Sequence, residues 1–125
     1  MIFVSIKMYA EKTIAVARER KHEGVIDSPD AVAEVGGICG DKVKFYLKIE
    51  NEIIKEVKYE TPGCMAAVAS CSTLAEVAKG KTLDEALAIT PKSLIEGLGL
   101  PGIKNHCAQM AVVALKNAVG NYRKK

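Results

Sequence analysis

A chain of 125 residues, 49% apolar and 26% charged, suits a single folded domain whose core is large enough to hold without a metal. Aromatics are only 5% and Trp is absent, so platforms on which nucleic-acid bases could stack are poorly supplied. The net charge of +3 is accounted for by Arg123, Lys124 and Lys125; this is a basic tail (123–125) on a balanced domain, and no nucleic-acid partner is expected.

No run reaches the roughly 18 apolar residues that a membrane helix needs, so no membrane association is expected. The opening Met1-Ile2-Phe3-Val4-Ser5-Ile6 is apolar but short, and lacks the basic start and cleavage site of a signal peptide. Residues 1–7 read as a flexible extension ahead of Met8, within one domain spanning 1–125. Without an export signal a reducing, cytoplasmic setting is expected, with unpaired thiols.

In chain order, Tyr9 to Lys21 is expected to be helical, with Ile14, Val16 and Ala17 forming an apolar patch among Glu11, Lys12, Arg18 and Glu19. His22 shows no partner and takes no role. Glu23 to Asp30, with Gly24, Ser28 and Pro29, reads as a loop. A short strand is expected around Ala31 to Val35. Lys42 to Ile49 alternates cleanly: Val43, Phe45, Leu47 and Ile49 on one face, Lys42, Lys44, Tyr46 and Lys48 on the other. Glu50-Asn51-Glu52 turns the chain. Ile53 to Glu60 returns with Ile53, Val57 and Tyr59 inward and Lys55 as the imperfect position.

After Pro62-Gly63 the period changes. Met65 to Lys79 is an Ala-rich helix that Gly80 stops. Thr82-Leu83-Asp84-Glu85 is a capping box, and Thr90-Pro91 opens another helix that Gly97 ends. Gly102 to Val119 is the last helix, with Ile103, Cys107, Met110, Ala111, Ala114 and Ala118 on its apolar face and Gly120 closing it. Strands first and helices after give an α+β class: a three-stranded antiparallel sheet with helices packed on one face.

Three cysteines stand at or near the ends of these elements. Cys39 lies in Gly37-Ile38-Cys39-Gly40-Asp41, Cys64 in Pro62-Gly63-Cys64-Met65, and Cys107 in Lys104-Asn105-His106-Cys107. Taken singly, each is most simply a small buried hydrophobe; their joint placement favours a shared site. At the start of a helix, free N–H groups and the dipole favour the thiolate of Cys64. The glycines beside Cys39 allow close backbone approach. If the three meet, three soft thiolates with Asp41 and His106 make a metal or iron–sulfur site. Asp41 is either a turn cap or a hard oxygen ligand or base; His106 is either a surface histidine or a nitrogen ligand. Cys71 is two helical turns from Cys64, about 10.5 Å, too far for a disulfide or one tetrahedral metal, and reads as core. Spacing alone reaches a three-thiolate metal site with one weaker ligand.

Three blocks resemble the IscU/NifU-type iron–sulfur cluster assembly scaffolds, over about Met8 to Tyr122. Cys39-Gly40-Asp41 is similar to that family's Cys-Gly-Asp. Gly63-Cys64 with Ala69-Ser70 and Ser72 is similar to its Gly-Cys-x-x-x-x-Ala-Ser-x-Ser block, and Leu100-Pro101 with Lys104-Asn105-His106-Cys107 to its Leu-Pro-x-x-Lys-x-His-Cys block. The Cys64-to-Cys107 separation fits the IscU/NifU branch, since the SufU branch carries an insertion there. The resemblance implies the α+β fold with a cluster site at one end of the sheet. It implies a scaffold, not an enzyme, that assembles a transient [2Fe–2S] cluster from iron and desulfurase-derived sulfur and transfers it to apo-proteins. Cys39, Cys64 and Cys107 become ligands of iron or Zn²⁺, Asp41 tunes lability or ligates, His106 is an alternative fourth ligand, and Lys104 is a neighbour of the site. Cys107 becomes the persulfide acceptor. Implied partners are a cysteine desulfurase, apo iron–sulfur acceptors and a DnaK-type chaperone that would read Leu100-Pro101-Gly102-Ile103-Lys104, with the chain a monomer or homodimer. The family's Leu-Pro-Pro-Val-Lys and its Asn-Pro-Arg-Asn-like segment are not reproduced here. Rival readings are a zinc-binding relative, a persulfide-using sulfurtransferase and a plain interaction module.

Overall fold

In the structure, a computed structural model that describes residues 16–19, 21–36, 42–61, 65–98 and 105–124, the strand signals become three β-strands in the order of the chain. They are β1 (Ala31–Gly36), β2 (Lys42–Glu50) and β3 (Ile53–Glu60), paired antiparallel. Ala31 stands opposite Leu47 and Gly36 opposite Lys42. Lys44 stands opposite Glu60 and Glu50 opposite Ile53. Asn51 (φ 53°) and Glu52 (φ 66°) make the β2–β3 turn with both residues left-handed, the hand that matches strand twist. Asn accepts that conformation readily; Glu52 adopts it at some cost.

The alternation along β2 holds for its inner face, whereas Tyr46, on the outer face, is also buried. Val43, Phe45, Leu47 and Ile49 are buried, and Phe45 packs on Tyr59 with ring centroids 6.3 Å apart. β3 departs from expectation in register. Lys48 pairs with Glu56 but Ile49 pairs with Ile54, so Lys55 is an extra residue in a bulge. Ile54 is therefore wholly buried, and Ile53, expected inward, is half-buried. On the outer face, Tyr46 donates from its hydroxyl to Glu60 Oε1 (2.5 Å), and Lys44 Nζ lies 5.1 Å from its ring centroid.

Four helices follow: α1 (Met65–Ala78), α2 (Leu83–Leu87), α3 (Pro91–Leu98) and α4 (Asn105–Arg123). Gly80 (φ 87°) takes the left-handed position beyond α1. At α2 the capping box forms as expected: Glu85 N donates to Thr82 Oγ1 (3.1 Å) and Thr82 N to Glu85 Oε1 (3.0 Å). The Thr82 N–H, and then its hydroxyl, hold the Glu85 carboxyl below its ordinary 4.5. A carboxyl depressed in the fold stabilises above its unfolded pKa and loses that contribution as pH falls through the folded value. Thr82→Ala is expected to cost about 1 kcal/mol, read as a lower denaturant midpoint with an unchanged slope.

Two helix ends differ from expectation. Gly97 lies inside α3, which runs on to Leu98. Gly120 lies inside α4 and not at its end. The last turn is held from outside: Asn121 Nδ2 donates to Val32 O (3.0 Å), Arg123 Nη2 donates to Asp84 Oδ1 (2.7 Å), and Tyr122 packs against the core. Such contacts outweigh the roughly 1 kcal/mol that glycine costs within a helix.

α4 lies across β1 and β2 and packs on α1, α2 and α3; α1 also packs on β3. Alanines make the close approaches: Ala67, Ala75 and Ala78 on α1, and Ala108, Ala111, Ala114 and Ala118 on α4, are wholly buried. The core sits between the sheet and these helices, in the α+β arrangement expected.

Of the expected first helix, residues 16–19 are helical, Lys21 has left it, and 9–15 and 20 lie outside the described residues. The reading of His22 as partnerless is corrected: its Nε2 lies 2.6 Å from Glu76 Oε2. This hydrogen bond, and then the imidazole's charge, hold the Glu76 carboxyl below its ordinary range. His22 (φ 68°) and Gly24 (φ 142°) both have positive φ. Tyr59 N donates to His22 O (3.0 Å), Gly24 N to Tyr59 O (2.8 Å), and Ser72 Oγ to Lys21 O (3.1 Å). Residues 21–24 thus form a strap across the end of β3 and the flank of α1.

Candidate metal centre

The described elements have a common polarity at one end of the sheet. Gly36 and Lys42 are paired, so the connection 37–41, with Cys39 and Asp41, starts and finishes at that end. Thr61 Oγ1 donates to Lys42 O (2.5 Å), which ties the exit of β3 to the entrance of β2. The connection 62–64, with Cys64, therefore departs from the same end. α1 then runs back along β3, since Gly80 N beyond its last turn donates to Ile54 O (2.8 Å) near the start of that strand.

α4 supplies the third piece. Its last turns lie beside the start of β1, through Asn121 on Val32 and a cleft shared by Ala33, Glu34, Lys116 and Gly120. The helix runs antiparallel to β1, and its 19 residues outreach the 6 of the strand. Its first turn, Asn105-His106-Cys107, consequently projects toward the end where 37–41 departs. Neither α1 nor α4 has an acidic residue in its first turn. Both helices direct the positive end of the dipole and free N–H groups that way, which suits an anionic assembly of thiolates and sulfide.

Cys107 is wholly buried, on the core side of α4 as its spacing predicted. Cys71 is also wholly buried and belongs to the core, again as expected. Burial, and then electrostatic interaction with Cys107, push the Cys71 thiol far above its ordinary range. The two thiols are therefore electrostatic neighbours across the α1–α4 contact. Sequence spacing related Cys71 only to Cys64; the approach to Cys107 depends on how two distant helices pack, and no local signal reports that. Of the serines in the second block, Ser72 holds the strap, while Ser70 Oγ is buried with no hydrogen-bond partner among the described residues.

Cys39, Asp41, Cys64 and the segment Leu100 to Lys104 lie outside the described residues, as does the side chain of His106, whose backbone is in the first turn of α4. Among the described residues no three of His, Cys, Asp or Glu gather as a metal cage, because Cys107 alone of the expected ligands has a described side chain. No described helix is long and apolar enough to cross a membrane.

Residues 8–125 match the family model described as the NifU-like N terminal domain. The chain is 40% identical over 120 residues to the iron-sulfur cluster assembly scaffold protein IscU 1 of Archaeoglobus fulgidus, covering 94% of this chain and 78% of that protein. It is 37% identical over 122 residues to the iron-sulfur cluster assembly scaffold protein IscU of Haemophilus influenzae, covering 94% and 97%. Among solved structures, the putative iron-sulfur cluster assembly scaffold protein for the SUF system from Fervidobacterium islandicum superposes with a TM-score of 0.77 over 92% of this chain and 98% of that one. Its identity of 22% makes that a likeness of fold.

Proposed function

Because the chain belongs to the NifU-like N-terminal domain family, we propose that it is an iron–sulfur cluster assembly scaffold, building a [2Fe–2S] cluster from iron and desulfurase-derived sulfur and handing it to apo-proteins. The observation that carries this reading is the common polarity of the two cysteine-bearing connections and of the first turn of α4. The chain leaves for 37–41 and 62–64, and enters α4 at Cys107, at one end of the sheet.

Cys39, Cys64 and Cys107 are the proposed thiolate ligands, and Cys107 the proposed persulfide acceptor. Asp41 or His106 fills the fourth corner, and Lys104 stands beside it. Soft thiolates hold iron and sulfide firmly; a single oxygen or nitrogen donor leaves one weak bond through which the cluster can leave. The chain's role is that of a carrier, with no small substrate turned over. A cysteine desulfurase and apo iron–sulfur proteins are the partners this requires, and Leu100 to Lys104 is the segment offered to a DnaK-type chaperone.

The test is anaerobic reconstitution with ferrous iron, a cysteine desulfurase and cysteine, followed by visible absorption and counting of iron and acid-labile sulfide. The expected result is thiolate-to-iron charge-transfer bands with iron and sulfide in equal amounts. Tight binding of zinc without sulfide uptake would instead identify a zinc-binding relative, since three thiolates and one oxygen or nitrogen also suit tetrahedral Zn²⁺.

A further inference from the structure

β1 lies at an edge of the sheet, and the strand pairing fixes which of its main-chain groups face outward. The main-chain groups of Tyr59 bond to the strap and so point away from β2. Direction alternates along a strand, so Lys58 points toward β2 and its partner Tyr46 points back. Phe45 therefore points toward Ala33 on β1, and Glu34, the next residue, points away from the sheet. Val32 is in the same phase as Glu34, and its carbonyl does accept from outside the sheet, from Asn121 Nδ2 (3.0 Å). Glu34 is exposed, as is Gly36 beyond it, and no described residue bonds to the Glu34 N–H or C=O.

Beside this edge the last part of α4 forms a shelf. Between them is a cleft of about 340 Å³, bounded by Ala33 and Glu34 on the strand and by Lys116, Gly120 and Lys124 on the helix. Gly120 is the informative residue. It lies inside α4, where glycine is costly, yet a Cβ there would meet nothing within 4 Å. Packing within this chain gives no steric reason for it. A glycine that faces an open cleft leaves room for another backbone to come close. Lys116 and Lys124 stand one helical turn to either side of it, and neither has an ion-pair partner among the described residues. Ala33 is buried beneath the helix, so Glu34 carries its carboxylate on the opposite face of the sheet. The helix side of the cleft is thus basic. A second copy of this chain does not suit the edge: antiparallel pairing about Glu34 would set Glu34 against Glu34, and like charges directly opposite destabilise a strand pair.

We propose that the β1 edge and the α4 shelf form a docking site for an extended acidic segment of another protein, which adds a fourth strand beside β1 with its Asp or Glu side chains toward Lys116 and Lys124. Main-chain hydrogen bonds to Glu34 hold the added strand, the two lysines select its charge, and Gly120 gives its backbone room. β1 runs toward the end of the sheet where 37–41 departs, so a docked strand leads to the proposed metal centre.

The probe is a short synthetic peptide alternating aspartate and threonine, titrated into the isotope-labelled full chain. The amide resonances of Glu34 and Gly120 are expected to shift, and at saturation the Glu34 amide should exchange with solvent about tenfold more slowly as it gains a partner. Lys116→Glu with Lys124→Glu should weaken binding by about tenfold or more. Gly120→Ala should also weaken it while raising the melting temperature by a few degrees, a pair of opposite effects that a purely structural glycine would not give. Should a variant not fold, the wild type decides: a lysine–threonine peptide, and the acidic peptide N-methylated at alternate residues along its hydrogen-bonding edge, are both expected not to bind. The proposal is overturned if the acidic peptide leaves these resonances unmoved, or binds while the Glu34 amide exchanges freely. It is equally overturned if Gly120→Ala binds at full affinity, or if the lysine–threonine peptide or a single-stranded oligonucleotide binds as well as the acidic one.

Discussion

Serine at Cys39, Cys64 or Cys107 is expected to abolish stable cluster reconstitution, each on its own, whereas serine at Cys71 leaves it intact. A hydroxyl keeps its proton at neutral pH and is a hard, weak ligand for iron, so one lost thiolate removes one of three strong bonds. The comparison with Cys71 separates ligation from folding. Both Cys71 and Cys107 are wholly buried, and burying a hydroxyl without a partner costs about 1–3 kcal/mol at either position. Both variants should therefore melt earlier, yet only Cys107→Ser should fail to take up iron and sulfide. The measurement is iron and sulfide content after reconstitution, with circular dichroism as the check on fold. A Cys71→Ser protein that retains its fold and loses the cluster would falsify the ligand assignment. Cys71 is a demanding control because it lies wholly buried on a helix packed against the one that carries Cys107.

Asp41→Ala is expected to lengthen the life of the assembled cluster and to slow its transfer to an apo-ferredoxin, each by roughly tenfold, the lower end of what changes around a metal site produce. The proposal is that a hard carboxylate two residues after a soft thiolate keeps one corner of the site weak. As a ligand it is the bond that breaks first; as a base it exchanges a proton with a departing thiol. A zinc site would answer in the opposite direction, losing affinity with its oxygen donor. Cluster lifetime and transfer rate measured side by side decide the matter. Equal kinetics in the two proteins would leave the three thiolates alone in the mechanism.

The parts of the fold legible in the sequence are those written in local patterns. The alternation from Val43 to Ile49 gave β2, its inner face and the class of sheet, because side chains alternate with period two whatever surrounds them. Thr82 and Glu85 announced the start of α2 because a capping box is complete within four residues. Register was less legible. Lys55 looked like a flaw in an inward face, but it is a bulge, and nothing within β3 says which of Ile53 and Ile54 will turn inward once Ile49 is opposite. Gly120 looked like a stop, yet contacts made by Asn121, Tyr122 and Arg123 with residues far away carry the helix past it. His22 meets Glu76, 54 positions on, for the same reason. For the candidate site, spacing placed Cys107 on the core face of α4, and Cys71 read as core because it stands too far from Cys64 to share a disulfide or a metal. Their proximity arises from the packing of α1 on α4, which no window of sequence contains. Cys39, Cys64 and Asp41 became candidates by their places near the ends of elements, and the family resemblance implied their roles as ligands.

The position of α4 in the chain bears on how the protein is made. Synthesis runs from the N-terminus, and the sheet is complete once Glu60 has emerged, since each strand pairs with its immediate neighbour in sequence. Its inner face is not. The helix that covers β1 and β2 and that packs on α1, α2 and α3 comes after all of them in the chain. Until residues 105–123 leave the ribosome, Val43, Phe45 and Leu47 have no such cover, and the nascent chain carries an apolar surface of the kind that invites aggregation. Residues 105–123 act as a keystone: without them β3 still has α1 to close against, but β1 and β2 lack the helix that lies across them.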